Sequence, residues 1–295
     1  MRRTPRRKPL ALTSRDFAIF RVLSRYRYLR STYIHAFVGG ASETRFKERL
    51  GDLFHEGFID RPSKQWEIAD ARHSPAIYEI GNGAQRALAE HGECEDGPRT
   101  FLTSTTHRQF AHSVMICGCL ASIELAALAN TSLRFIPWSE ILARAPASTR
   151  SAPIPFRMPT STAAIVPDGF FGLEYQSEEG AKAYRFCALE VDRGTMPIVR
   201  TDPRQTSYIG KLAAYQELIE TKVHKRHLGI SSLFVLSITT SEQRRSEIVR
   251  RFGELGDNPL FLFKAIKQCD LTTPSPGLIL GSWQRAGLSP LRIDE

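Results

Sequence analysis

The chain is poor in cysteine. Five residues among 295, Cys94, Cys117, Cys119, Cys187 and Cys269, are odd in number and scattered. Cys117 and Cys119 lie two apart in a helical run, so they point to different faces. All five read as reduced thiols, with neither a disulfide framework nor a zinc site. Long apolar runs are also missing: none approaches the ~18 residues needed to cross a bilayer. The N-terminus is charged with no apolar stretch behind it, which excludes a secretory signal. No Gly-rich loop closes on Lys-Ser or Lys-Thr, which argues against an ATPase. No His-x-His segment and no local Ser-His-Asp signature occur. His224 and His227 could touch one metal on a helix face, but the run around them reads as a basic helix end. The expectation is a cytoplasmic protein with no membrane partner.

What is abundant is positive charge. The formal net charge is +9 and the pI about 9.5. Residues 1–92 hold 17 Lys/Arg against 10 Asp/Glu, so about +7 of the surplus sits in the first third. A one-sided surplus favours a polyanionic partner, with nucleic acid foremost. Residues 1–12 carry five basic groups before the first acid and read as a disordered arm; a solvated tail with no specific role is the alternative. An apolar content of 42% builds real cores, and the length suggests about two domains.

Periodicity from 13 to 92 gives three helices, a hairpin and a fourth helix. Ile19, Val22, Leu23 and Tyr26 share one helical face. Ser14 can cap that helix, with Thr13 before it. A second helix, about 30–38, stops at Gly39-Gly40. Ser42 can cap a third, whose buried stripe is Phe46, Leu50, Leu53 and Phe54. A strand follows at 58–60, then a polar loop or wing over 61–73, a returning strand at 75–80 and a helix at 81–91. This is the order of a winged helix-turn-helix, which lays its third helix in the major groove of duplex DNA. Thr44, Arg45 and Glu48 then face out. Arg45 suits a guanine edge and Thr44 a thymine methyl or a phosphate. Lys47 and Arg49 flank them and suit phosphates, and Arg61 and Lys64 fall on the wing. The alternative is a module that only packs against the rest or mediates a homodimer.

Residues 93–105, with the turn-rich ECEDGP, read as a linker. Beyond it, 106–295 give a long apolar helix (107–130), a proline-rich loop (145–159), strands at 163–175 and 183–192, and a helix at 207–222. A buried strand (232–238), a helix capped by Ser241 and a last strand at 260–263 complete an α/β domain, so the whole chain is α+β or α/β. Centring the polar turn on Glu179 sets Asp168 opposite Glu190, with Asp192 on the same face. Carboxylates that close repel, and the remedy is a hard cation, magnesium or manganese, or a basic neighbour: Arg193, Arg200 or Lys211. Ordinary Pro-Asp-Gly turn chemistry explains Asp168 alone.

The element order, with Pro-Asp and then Glu-x-x, is similar to the PD-(D/E)xK, restriction-endonuclease-like nuclease fold. More closely, VPDGFFGLEY, FCALEVDRGT and YIGKLAAY after a winged helix resemble the replication-relaxation family of plasmids and mobile elements. The resemblance covers most of the chain. It implies a part in plasmid replication, DNA relaxation or mobilisation, duplex DNA as a partner and replication or mobilisation proteins as further ones. Asp168, Glu190 and Asp192 would then be metal ligands, and Asp168 and Glu190 catalytic. The nuclease motif has lysine two residues after Glu190, where this chain has Asp192. Either the domain is a non-catalytic DNA-binding accessory, or the lysine has migrated, with Lys211 the best candidate and Tyr215 one turn on. A phosphate contact or a surface ion pair is the plainer reading of Lys211.

Overall fold

The computed structural model describes residues 3–4, 10–40, 42–68, 72–93, 107–161, 164–176, 180–202 and 205–295. Most of the basic arm and of the 93–105 linker, Cys94 and the turn centre at 179 therefore lie outside the described residues. The fold is α+β and divides into two compact units, Met1–Leu125 with Cys269–Ser275, and Ala126–Gln268 with Pro276–Glu295.

The first unit contains α1 (Ser14–Arg25), β1 (Leu29–Arg30), α2 (Ser31–Val38), α3 (Glu43–His55), β2 (Ile59–Asp60), β3 (Ile77–Ile80), α4 (Asn82–Glu90) and most of α5 (His107–Leu128). The cap of α1 is Thr13, not Ser14. Its hydroxyl accepts from the Asp16 N–H while the Asp16 carboxylate accepts from the Thr13 N–H at 2.7 Å. This reciprocal box satisfies two amide groups that the first turn leaves without partners. Gly39, at φ 67°, ends α2. The three short strands form an antiparallel sheet in the order β1-β3-β2.

Residues 107–130 were expected to open the second domain. Instead Phe110, Val114, Cys117 and Ala121 of α5 join Ile19, Phe20, Leu23, Tyr33, Leu50 and Leu53 in one core. A helix apolar all round must be covered on every side, and the first unit supplies the cover for this face. The unit boundary accordingly falls after Leu125 rather than at 93–105. Contrary to the sequence expectation, Gln109–Leu128 is long and apolar enough to cross a membrane by length and composition, but 78% of that window is buried inside the protein.

The second unit contains β4 (Leu133–Pro137), α6 (Trp138–Arg144), α7 (Ala147–Arg150), β5 (Met158–Pro159), β6 (Ala164–Ile165), β7 (Gly169–Gln176), β8 (Lys182–Asp192), α8 (Tyr208–Glu220), α9 (Val223–Leu228), β9 (Phe234–Thr239), α10 (Glu242–Gly253), β10 (Phe261–Ala265) and α11 (Gly277–Leu280). Its five-stranded sheet runs β10-β9-β8-β7-β4. β8, β9 and β10 are parallel, as the intervening helices require. β7 and β4 are antiparallel additions. The strand expected over 163–175 is two pieces: β6 pairs with β5 in a separate ribbon, and Pro167 breaks the run before β7.

Candidate functional site

The face of α3 is set by its period. Phe46, Leu50, Leu53 and Phe54 are buried, and Ser42 caps the helix through a bond from the Arg45 N–H at 3.3 Å. Thr44, Arg45, Lys47 and Glu48 are consequently exposed. Lys47 lies 2.7 Å from Glu43, one turn back, with both side chains more than half exposed. Such a pair is worth ~0–1 kcal/mol, so a phosphate can take the ammonium from it at little cost.

Two other basic residues from the sequence reading are drawn into the fold. Arg49 donates to Asp16 at 2.9 and 2.5 Å and to the Ala11 carbonyl at 2.7 Å. Burial works to raise the Asp16 carboxyl, yet Arg49 and the Thr13 bonds outweigh it and hold it below the usual carboxylate range. Arg61 donates to the Tyr78 hydroxyl at 2.6 Å and stacks over the rings of Phe54 and Tyr78. Lys64 is half-buried in a single 3-10 turn, Ser63–Glu67, within the β2–β3 connection.

In the second unit, β7 and β8 pair Gly169 with Leu189 and Phe170 with Ala188. Continued by one residue, this register sets Asp168 across from Glu190. Asp168 accepts from the Val191 N–H at 2.9 Å, which ties it to β8. Glu190 is 1% exposed, a carboxylate in the middle of a sheet. Two groups from α8 serve it: Lys211 Nζ on Oε2, and the Tyr215 hydroxyl on Oε1 at 2.5 Å. Lys211 and Tyr215 are four residues apart, hence on one helical face. Ser207 caps α8 and fixes where that face starts. Tyr208, from the same turn, shares a 2.7 Å bond with Ser237, the residue paired with Glu190 across β8 and β9.

Burial pushes the Glu190 carboxyl up to about 8, with Lys211 pulling it down and Asp168 adding to the rise. Burial also opposes the charge on Lys211, but Glu190 and Asp168 overcome it and hold the ammonium above its ordinary range. Asp168, Glu190 and Lys211 are thus one electrostatic unit.

Asp192 is engaged differently. It is 4% exposed and accepts from Arg244 Nε, from the Gly194 N–H at 2.9 Å and from the Thr239 hydroxyl at 3.4 Å. Among the described residues, no three His, Cys, Asp or Glu side chains are grouped to hold a metal. Of the expected trio of Asp168, Glu190 and Asp192, the first two lie across from each other, while Asp192 is paired with Arg244. Sequence reasoning missed Arg244, which lies 52 residues from its partner with no periodic signal to join them. His227 bonds the Pro155 carbonyl at 2.7 Å, while His224 is buried.

A unit whose third helix exposes Arg45 and Lys47 beside Glu43 and Glu48, and an α/β unit with a buried acid–lysine cluster, define a two-part α+β protein. The family model described as replication-relaxation matches residues 20–233, and the chain belongs to the replication-relaxation family. The match takes in α3, Asp168, Glu190, Asp192, Lys211 and Tyr215, while Arg244 falls beyond it. No curated protein matches the chain, and no solved structure does.

Proposed function

We propose that the chain binds duplex DNA through a winged-helix first unit and acts in the replication, relaxation or mobilisation of plasmids or mobile elements. We further propose that the second unit is a PD-(D/E)xK-like domain that nicks DNA with a divalent cation. What supports the first part is the order α1, β1, α2, α3, β2, β3, with Thr44, Arg45 and Lys47 on the open side of α3. The observation that carries the second is Asp168 across from Glu190, with Lys211 on Glu190.

Asp168 and Glu190 suit magnesium or manganese in donor chemistry, because both present carboxylate oxygens. Magnesium commonly takes one or two carboxylates and completes its shell with waters and substrate phosphates, so Asp192 is not required. The chemistry such a cation supplies when bound is polarisation of a phosphate oxygen and acidification of a water. Lys211, relieved of Glu190, would present its ammonium to charge developing on the phosphate. Tyr215 would keep Glu190 Oε1 in place meanwhile.

One observation favours a second reading, a non-catalytic accessory. Glu190 already has Lys211 and Tyr215, and the position of the motif lysine holds Asp192, bound to Arg244. Incubating supercoiled plasmid with the protein and magnesium or manganese separates the two. Relaxed or linear product, lost in both Asp168→Ala and Glu190→Ala while duplex binding persists, supports the nuclease. Duplex binding with no product under either metal leaves the accessory.

A further inference from the structure

The connection between β2 and β3 carries an exposed aromatic side chain. Trp66 is 51% exposed, whereas Trp283 is fully buried. Exposed apolar side chains taken singly need no explanation, but Trp66 is held in place. Its neighbour Gln65 is 3% exposed, and its amide behaves like a strand residue. Gln65 Nε2 donates to the carbonyls of Pro62 at 3.0 Å and Ile77 at 3.3 Å, and its Oε1 accepts from the Ile77 N–H at 2.9 Å. The turn Ser63–Glu67 is thereby pinned to the first residue of β3.

A 3-10 turn has three residues per revolution, so neighbours point about 120° apart. With Gln65 fixed inward, exposed Trp66 leaves the turn on one side and half-buried Lys64 on the other. Arg61, at the base of the same loop, is stacked on Phe54 and Tyr78. The outward chemistry of the turn Ser63–Glu67 is therefore an indole with the Lys64 ammonium and the Glu67 carboxylate near it, on a backbone anchored through Gln65. That combination suits a nucleic-acid groove. The ammonium meets phosphate, and the indole meets the apolar edge of a sugar or a base step that it can part as a wedge. Because the turn is anchored, little conformational entropy is lost on contact. The surplus of about +7 in residues 1–92 favours a polyanion over an apolar protein partner.

We propose that Trp66 is a DNA-contact residue, packing its indole into a groove of the duplex with Lys64 on the adjoining phosphate. This rests on the reading of the first unit as a DNA-binding module. It moves the apolar contribution of the loop to a residue outside the basic set.

The test uses the full chain and a short duplex of mixed sequence. Affinity is read by anisotropy of labelled duplex, and Trp66 by the quenching of intrinsic emission with unlabelled duplex. Wild-type emission should be quenched on binding, and Trp66→Phe should remove most of that quenching while holding affinity within about threefold. Trp66→Ala should weaken binding roughly tenfold, as loss of one stacked aromatic does, without altering the salt dependence. Lys64→Ala should instead lower the salt slope by about one. Circular dichroism of each variant checks that the fold is kept. Wild-type binding with no Trp66-dependent quenching and an unchanged Trp66→Ala affinity overturns the proposal and leaves the DNA-binding reading intact. Loss of self-association in Trp66→Ala, with DNA affinity unchanged, overturns it in favour of a protein interface. No wild-type binding at all removes the DNA-binding reading, and the proposal with it.

Discussion

The open face of α3 and the buried acid cluster of the second unit hold positive charge in opposite ways. On the open face of α3, Arg45 and Lys47 lie in solvent, and the pair that Lys47 makes with Glu43 is exposed on both sides, whereas Arg49 of the same helix is turned onto buried Asp16. In the second unit, Lys211 and Arg244 are turned inward onto carboxylates that are 1% and 4% exposed. A charge in water is available to a ligand at little cost. A charge spent on a buried partner has to be exchanged, and removing it leaves the partner stranded. Substitutions in the two places should therefore fail in different ways, one in binding and the other in folding.

The largest effect is expected at Lys211. Lys211→Ala strands Glu190 and should cost ~3–5 kcal/mol in urea unfolding above pH 8, and less near pH 5, where the carboxyl can take up a proton. An unchanged unfolding midpoint at both pH values would mean that Lys211 is not the counter-charge. Next is the pH profile of the wild type. The folded Glu190 carboxyl stands at about 8 against an ordinary value near 4.5. Its contribution is complete below the ordinary value and is lost as pH rises toward 8. Stability should thus fall by at most a few kcal/mol across that window, and Glu190→Gln should flatten the fall.

Arg49→Ala comes third. It leaves the Asp16 carboxylate buried, and ~1–3 kcal/mol of stability should go, the lower end reflecting the partial exposure of Arg49. Duplex affinity under folding conditions should be little changed. Arg45→Ala reverses the pattern: no change in the melt, but ~1–3 kcal/mol less discrimination at one base position in a competition assay.

The same contrast marks what the sequence made legible. Local and periodic features were readable. The apolar stripe of α3 follows from its spacing, the caps Ser42 and Ser241 from residue type, and the Asp168–Glu190 register from counting outward from one turn. Even the placing of Lys211 and Tyr215 on one face of α8 needed only the helical period. Features that join distant segments were not readable. Nothing in the period of α10 points Arg244 at Asp192. Nothing near Arg134 and Lys182 marks Glu174 as their common partner. Arg49 looked available because its helix position lies beside the open face, but its long side chain reaches across to α1. The membership of α5 was hidden for a related reason: an all-apolar helix says that it is covered, without saying by what.

Salt dependence of duplex affinity is the most direct test of that contrast. Each phosphate-bound cation contributes about 0.9 to the log–log slope on duplex DNA. Measured on the wild type, Lys47→Ala and Arg49→Ala over one salt range, the slope should drop by about one for Lys47→Ala. It should stay at the wild-type value for Arg49→Ala, whose loss appears in the melt instead. Equal drops for the two variants would contradict the division, because Arg49 would then leave Asp16 for a phosphate when DNA binds.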